Sequence, residues 1–392
     1  MACLLFSHAN AYALLGDRLT PFIEESVTYD ANLFRISKDV DPATAFGTGS
    51  KSDTIRTTLT GIKLDAPINR QRVQASFVRS SNRFDRFKDL DYTGHDARAF
   101  WLWQVGSQLS GQLGYSDRLA LASFADFPGR TADYVKTRQA VYGAVYDVGP
   151  HWRVQLGASA LRQSNSDPAR QSNDVDIYDS DATLSYITRS GNSLGIATRV
   201  EKGRFPNMQT IGGTAVDNAY GQHSLDCVGD WGITALSHLS WRIGRVSRRF
   251  EQLPQRDFDG NTAHIRYDWK PTGKLEIAAI AQKDISAYED FRANFVVVKG
   301  IALRPTFHLS GKFDVSGNLD YSSRDFLGDP GLVSSAAPKR SDRVRTVGLI
   351  MTYRPARNVT LQFGSRRESR SSNVVFIDYA TRVSFVSLRI GF

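Results

Sequence analysis

Apolar and polar residues alternate one by one along much of this chain, and the clearest stretch runs from Phe307 to Tyr321. Phe307, Leu309, Phe313, Val315, Leu319 and Tyr321 share one parity with Gly311 and Gly317, while His308, Ser310, Lys312, Asp314, Ser316, Asn318 and Asp320 share the other. Successive side chains of a strand point to opposite faces, so the pattern predicts a strand with one apolar and one polar surface. Trp152, Val154, Leu156 and Ala158 stand in the same way against Arg153, Gln155 and Ser159. Ala263, Ile265, Tyr267 and Trp269 stand against His264, Arg266, Asp268 and Lys270. The last residues repeat it, with Val386, Leu388, Ile390 and Phe392 opposite Ser387, Arg389 and Gly391.

Tight-turn residues punctuate the alternation about every 40 residues, which is the length of one hairpin of two strands of roughly ten residues with a turn and a loop. They fall near Asp65-Ala66-Pro67, Gly106-Ser107, Gly149-Pro150, Ser190-Gly191-Asn192, Gly232-Ile233-Thr234, Pro271-Thr272-Gly273, Arg304-Pro305 and Pro355-Ala356-Arg357. Longer polar segments lie between them, including Ile36 to Lys51, Leu119 to Tyr134, Phe205 to Ala215, Ile285 to Glu289 and Ser322 to Lys339. Short turns on one rim and long loops on the other predict an all-β fold. It is a single transmembrane antiparallel up-and-down β-barrel, with periplasmic turns and extracellular loops. Eight short turns with both termini on the same rim give 18 strands; 16 follows if one weak pair does not form. A propeller or a β-solenoid also repeats and alternates, but neither explains the asymmetry of the connections.

Composition fits this reading. The 392 residues have a mean hydropathy of -0.33, and no stretch approaches the roughly 18 to 20 apolar residues of a membrane helix. A transmembrane barrel escapes that filter because alternate residues of each strand face lipid. Trp103, Trp152, Trp231, Trp269 and Tyr353 lie near the short turns, where an interfacial aromatic girdle is expected. The bacterial outer membrane is the expected location. The terminal strand Leu388, Ile390, Phe392 resembles the last strand of outer-membrane barrels, and that resemblance implies that it carries the signal read by the barrel assembly machinery, with outer-membrane lipid and lipopolysaccharide as its surroundings.

At the other end, Ala2 to Phe6 is a short apolar run followed by small-residue patterns at Ala9-Asn10-Ala11 and Ala11-Tyr12-Ala13. Residues 1–13 are therefore expected to be a signal-peptide remnant and 14–392 the barrel. Of the two cysteines, Cys3 lies in that remnant, leaving Cys227 without a disulfide partner and expected to be a buried packing residue.

The net charge is +9, and of 49 basic residues only 12 are lysine. Guanidinium groups pair bidentately with carboxylate or phosphate. The cations are dispersed and no nucleic-acid motif is present, so nucleic acid is not the expected partner. Strand parity puts Arg72, Arg153, Arg199, Arg242, Arg266, His308, Lys312, Arg366 and Arg389 on the inward side. An 18-strand barrel is wide enough for an aqueous bore, where such residues either favour anionic permeants or brace the wall by pairing with inward acids such as Asp268, Asp314 or Glu276. No HExxH, GxSxG or phosphate-cradling motif occurs, so neither a catalytic site nor a cofactor or metal is expected. His264 and His308 share the inward parity with Asp268 and Ser310, a coincidence that parity alone produces among lumen residues.

Several strings carry a family resemblance: Val27-Thr28-Tyr29-Asp30-Ala31-Asn32-Leu33-Phe34-Arg35, Lys51-Ser52-Asp53-Thr54, Ser123-Phe124-Ala125-Asp126-Phe127, Gln255-Arg256-Asp257-Phe258, Pro271-Thr272-Gly273-Lys274-Leu275 and Arg370-Ser371-Ser372-Asn373. In order and spacing they resemble the EpsL family, outer-membrane barrels encoded in exopolysaccharide operons, within the broader β-barrel porin type 2 class. The resemblance implies a non-enzymatic barrel that serves polysaccharide secretion beside periplasmic export proteins. It supplies no catalytic residue and no defined sugar. A plugged barrel that anchors export proteins and a general anion-preferring porin are the alternative expectations. Asp30, Asn32 and Ser123 to Phe127 either contact polysaccharide or fold the loops that carry them.

Overall fold

A computed structural model describes residues 18–125, 130–211, 214–290, 293–327 and 339–392; residues 1–13, where a signal-peptide remnant is expected, lie outside these. Eighteen strands form one closed antiparallel sheet. In chain order the elements are β1 (Leu19–Asp30), α1 (Pro42–Phe46), β2 (Asp53–Ile68), β3 (Gln71–Phe84), β4 (Tyr92–Val105), β5 (Leu109–Leu121), β6 (Tyr134–Val148), β7 (Trp152–Asn165), β8 (Val175–Ile187), β9 (Ser193–Arg204), the loop hairpin β10 (Gln209–Ile211) and β11 (Thr214–Val216), β12 (Tyr220–Thr234), β13 (Ser237–Phe250), β14 (Phe258–Thr272), β15 (Leu275–Asp290), β16 (Ala293–Ser310), β17 (Phe313–Leu327), β18 (Ser341–Ala356), β19 (Val359–Ser372) and β20 (Tyr379–Gly391). Each barrel strand pairs with the next, and β1 closes the ring on β20 with Phe22 opposite Gly391. The N–H of Phe392 donates to the carbonyl of Pro21 at 2.9 Å, extending that seam to the last residue.

The count is eighteen, not sixteen, but several turns sit elsewhere than the pattern suggests. The alternating run from Phe307 to Tyr321 is two strands: β16 ends at Ser310, Gly311 and Lys312 make the turn, and β17 starts at Phe313. A two-residue turn preserves the period of two, so the alternation passes through it unbroken. Arg304-Pro305 lies instead inside β16. Its proline ring faces Gly317 on β17, where a Cβ would come within 2.8 Å of the ring, so glycine makes room for it. The turns expected near Asp65-Ala66-Pro67 and Gly232-Ile233-Thr234 form a few residues later, at Asn69-Arg70 and Ala235-Leu236. Asn69 takes the left-handed φ of 54° that Asn tolerates. Ile285 to Glu289 belongs to β15 rather than to a loop.

Cross-strand pairing fixes two faces. Trp101, Leu113, Tyr142, Leu156, Leu184, Ile196, Leu225, Ile243, Ile301, Val347, Phe363 and Val386 lie on the outer face, each more than a third exposed. Counted from the short-turn rim, the outward positions over the first eight residues of the strands carry no charge except Glu25 on β1. With about 2.5 Å of height per residue in a strand tilted by roughly 40°, this band is about 20 Å tall, close to the roughly 25 Å apolar belt of outer-membrane barrels. Trp152, Trp231, Trp269 and Tyr353 ring its lower edge on the outer face. Cys227 also faces outward and is exposed; packing against lipid rather than burial in the protein is its role.

The wall leaves no central core, so the apolar core of this protein is in its loops. Phe34 is 0% exposed, and its ring lies 4.4 Å from Phe46, 4.7 Å from Phe87 and 5.0 Å from Phe124, centroid to centroid. Leu33, Ile36, Phe84 and Leu90 complete the cluster, which joins three successive loops. Asp41 starts α1 by accepting from the N–H groups of Ala43 and Thr44, and Gly47 ends it at φ 72°. Arg130 then ties the third loop to the second by donating to both oxygens of Asp89, at 2.9 and 3.0 Å, and to the first through the carbonyl of Phe46.

Two loops close with the same clasp. After Phe84 and again after Phe250, a short 3-10 turn ends at an aspartate, Asp91 or Asp257, that accepts from the N–H of the phenylalanine at 2.7 or 2.8 Å. A third loop varies it, with Asp174 accepting from the N–H of Asn165.

Replacing Phe34 with Ala is expected to loosen the three loops by roughly 3 kcal/mol or more, the range for emptying a buried aromatic site. Limited proteolysis should then cut residues 31–52 faster while the barrel keeps its heat-resistant mobility in SDS gels. The guanidinium of Arg130 holds the Asp89 carboxyl below the ordinary carboxylate range. Its contribution is thus present above the unfolded-state value of about 3.9 and is lost as pH falls through the depressed value. The second loop of the wild type should become protease-sensitive in that acid window, and an Asp89→Asn protein should show the sensitivity already at neutral pH.

Candidate functional site

The face opposite the apolar belt lines the bore, and its cations are mostly matched. On β3, Arg72 donates through Nε to Asp65 of β2 at 2.6 Å. Arg153 reaches Asp147 across the turn from β7 to β6 at 2.6 Å, Arg242 reaches Asp226 between β13 and β12 at 2.9 Å, and Arg266 grips its neighbour Asp268 with two bonds of 2.7 Å. The Arg199 guanidinium is 4.0 Å from Asp179. Arg389 stacks 3.6 Å above the ring of Phe22 and lies 3.9 Å from Glu24, on the seam strand β1. Pairing of inward Arg with inward acid is therefore the rule along the wall, and a carboxylate next to each guanidinium cancels most of its reach beyond a Debye length.

Two of the nine candidates depart from that rule. Arg366 is inward on β19, opposite Gly348, and has no ion-pair partner among the described residues. Lys312 does not line the bore. It sits in the turn between β16 and β17 and donates to the carbonyl of Pro355 in the neighbouring turn at 3.0 Å, because the predicted strand is interrupted there.

His308 is inward but is held by Asp314 at 2.6 Å, with Arg354 bonded to the other oxygen of that aspartate. Asp268 is taken by Arg266. The His264, His308, Asp268 and Ser310 set that parity suggested is thus not assembled, since Asp314 and Arg266 take His308 and Asp268 and the Ser310 hydroxyl accepts from the N–H of Lys312 in the turn. Among the described residues no cluster of three His, Cys, Asp or Glu is placed to hold a metal ion.

Near the mouth, buried polar groups serve the loops. Asp30 accepts from Arg35, from the N–H of Asn32 and from the hydroxyl of Thr381. Asn32, 1% exposed, donates to the carbonyls of Ile36 and Ala380, fastening the first loop to β20. Asp53 receives the N–H groups of Thr54, Arg86 and Phe87. Arg256 donates to Asn218 at 2.6 Å, and Arg370 donates to the carbonyl of Ile377 while lying over Tyr379. Phe124 is in the loop core; Asp126 and Phe127 lie outside the described residues. These strings fold the loops, and the side chains of Asp30 and Asn32 have little left to offer a passing glycan.

Sequence reasoning missed a polar brace in the upper bore. Arg248, 5% exposed, donates to Gln222, lies 3.7 Å above the ring of Tyr220 and approaches Glu201, which also accepts from the Tyr220 hydroxyl. Its parity was readable, but its burial depends on strands β9, β12 and β13 meeting, which no local pattern reveals.

Comparison with known proteins bears on the fold. A model of the family described as Putative beta-barrel porin 2 matches residues 240–392. A comparison with curated protein sequences finds no match. The architecture is similar to the crystal structure of the outer membrane protein OpdK from Pseudomonas aeruginosa, at 11% identity and a TM-score of 0.52, over 97% of this chain and 100% of that one. It is similar as well to OccK9 (OpdG) of that organism, at 10% identity and 0.51 over 96% and 99% of the two chains, and to its OpdO, at 12% and 0.50 over 96% and 98%. At these identities the likeness is one of fold. A closed 18-strand wall, an uncharged apolar belt outside and a charged face within make this chain a porin-like β-barrel of the bacterial outer membrane.

Proposed function

We propose that this barrel is a passive conduit or accessory through which an exopolysaccharide, handed over by periplasmic export proteins, reaches the cell surface. The observation that carries this reading is the pairing of Arg72, Arg153, Arg242 and Arg266 with lumen carboxylates. A wall of closed ion pairs offers many hydrogen-bonding positions and little net field. That suits a hydrated polymer making weak contacts at many sites, where conduction requires binding loose enough to release. A bore that selects small anions needs unopposed cations. Eighteen strands lie in the range that leaves an aqueous channel. The EpsL resemblance supplies the polysaccharide, through strings that here build the loops.

A second reading, a general anion-preferring porin, is favoured by Arg366, whose charge is unopposed. A plugged barrel that anchors export proteins is a third outcome of the same measurements. Purified protein in planar bilayers is expected to conduct, with a reversal potential in a salt gradient close to zero. No conductance would point to the plugged barrel, and a strong preference for chloride, lost in Arg366→Gln, to the anion porin. Deletion of the gene is expected to lower surface polysaccharide several-fold, and unchanged polysaccharide in a conducting barrel would sink the export reading. Arg242→Ala removes the partner of Asp226, which is 5% exposed, so the reversal potential should move toward cation preference while Arg242→Lys keeps it near the wild-type value.

A further inference from the structure

The lumen is largely neutralised, yet the chain carries a net charge of +9. Much of the unpaired charge is on the outside. From the ninth residue above the short-turn rim, outward positions turn basic: Lys283 on β15, Lys299 on β16, Arg343 and Arg345 on β18, Arg367 on β19 and Arg382 on β20. Two of these sets are like charges set directly opposite across a strand pair, Lys283 with Lys299 and Arg367 with Arg382. Such pairs are destabilising on their own. Among the described residues none of these four has an acidic partner. Across β4 to β8 the outward cations at that height are matched instead, Arg162 by Asp176 and His95, Lys136 and Arg138 by Asp117, while Arg79 on β3 and Lys202 on β9 stand singly with no Lys or Arg directly opposite.

Directly beneath Lys283 and Lys299 the outer wall is hollow. The outward residues of β15 below Lys283 are Ala281 and Ala279, flanked by Ile265 and Tyr267 on β14 and by Ile301 and Leu303 on β16. They form an apolar groove of about 580 Å³ that runs on past Tyr321 to Arg345. The guanidinium of Arg345 lies 5.8 Å from the Tyr321 ring, at the groove's upper end.

We infer that this face is a binding site for a phosphorylated glycolipid of the outer leaflet, with its phosphates on Lys283, Lys299 and Arg345 and an acyl chain in the groove over Ala279 and Ala281. The groove faces hydrocarbon, so a lipid chain is what covers it. Opposed cations just above the belt, at headgroup height, call for a doubly anionic head. The phosphate groups of lipopolysaccharide meet both requirements, whereas a free anion meets only the second. The site does not depend on what crosses the bore.

Protein refolded in lipid-free detergent would be titrated with bisphosphorylated lipid A, with its dephosphorylated form and with inorganic phosphate, following native mass spectra and the midpoint of heat-induced unfolding on SDS gels. Bisphosphorylated lipid A is expected to bind and raise the midpoint, and the other two to have little effect. With each surface cation contributing about 1 kcal/mol, K283Q/K299Q should weaken that binding roughly thirtyfold. The lipid-free midpoint should hold or rise in this variant, since a like-charge pair is relieved; a merely structural role would lower it. Ala281→Phe fills the groove while keeping the cations and should weaken binding too, and R162Q on the matched side should not. Equal binding of dephosphorylated lipid, an equal effect of inorganic phosphate, or wild-type affinity in K283Q/K299Q would each overturn the assignment.

Discussion

A strand in lipid has no water to satisfy its backbone, and everything in this molecule follows from that constraint. Each N–H and C=O in the belt must find a partner in the wall, so the sheet has to close on itself. The pairing of β1 with β20 provides the closure, and the donation from Phe392 to Pro21 carries it to the last residue. With closure comes the separation of faces, since in a ring every strand has one side to lipid and one to the bore. Without closure, the two seam strands would present open ladders that hydrocarbon cannot satisfy.

Closure also dictates where folding energy is concentrated. A wall two faces thick has no interior, and the buried apolar cluster around Phe34 lies where loops can pile on one another. Buried polar residues follow the same logic. Asp30, Asn32, Asp53 and Arg256 are at strand tops or in loops, where irregular backbone leaves donors and acceptors that the ladder cannot serve. Charge is sorted as well. Inside, Arg meets carboxylate across neighbouring strands; outside, on the arc from β15 to β20, Lys and Arg meet one another.

The strand period and the turn rhythm made the barrel and its strand number legible, because period-two alternation is written locally. The same property hid the turn at Gly311-Lys312, since a two-residue turn leaves parity intact, and it misplaced Lys312 in the lumen. The inward parity of Arg72, Arg153, Arg199, Arg242, Arg266, His308, Arg366 and Arg389 was readable, as were the bracing acids Asp268 and Asp314 of Arg266 and His308; the partners of the others were not. Asp226 is 16 residues from Arg242 and Asp179 is 20 from Arg199, and only the register between strands brings them together. The loop core was opaque because Phe34, Phe87 and Phe124 lie on separate loops without periodic structure. The outward cations had a signal that went unused: parity combined with distance from the turn separates belt, headgroup zone and lumen.

Phe84 and Phe250, which start the two equivalent clasps, lie 166 residues apart, an interval that holds four hairpins of the wall. Since each clasp is made within its own loop, between a strand's last N–H and an aspartate seven residues on, it requires nothing of the hairpins on either side. A gene could therefore gain or lose such a hairpin whole, in steps of two strands, and every remaining loop would still close. The bore would widen or narrow by increments, while the fastening at its rim stayed the same.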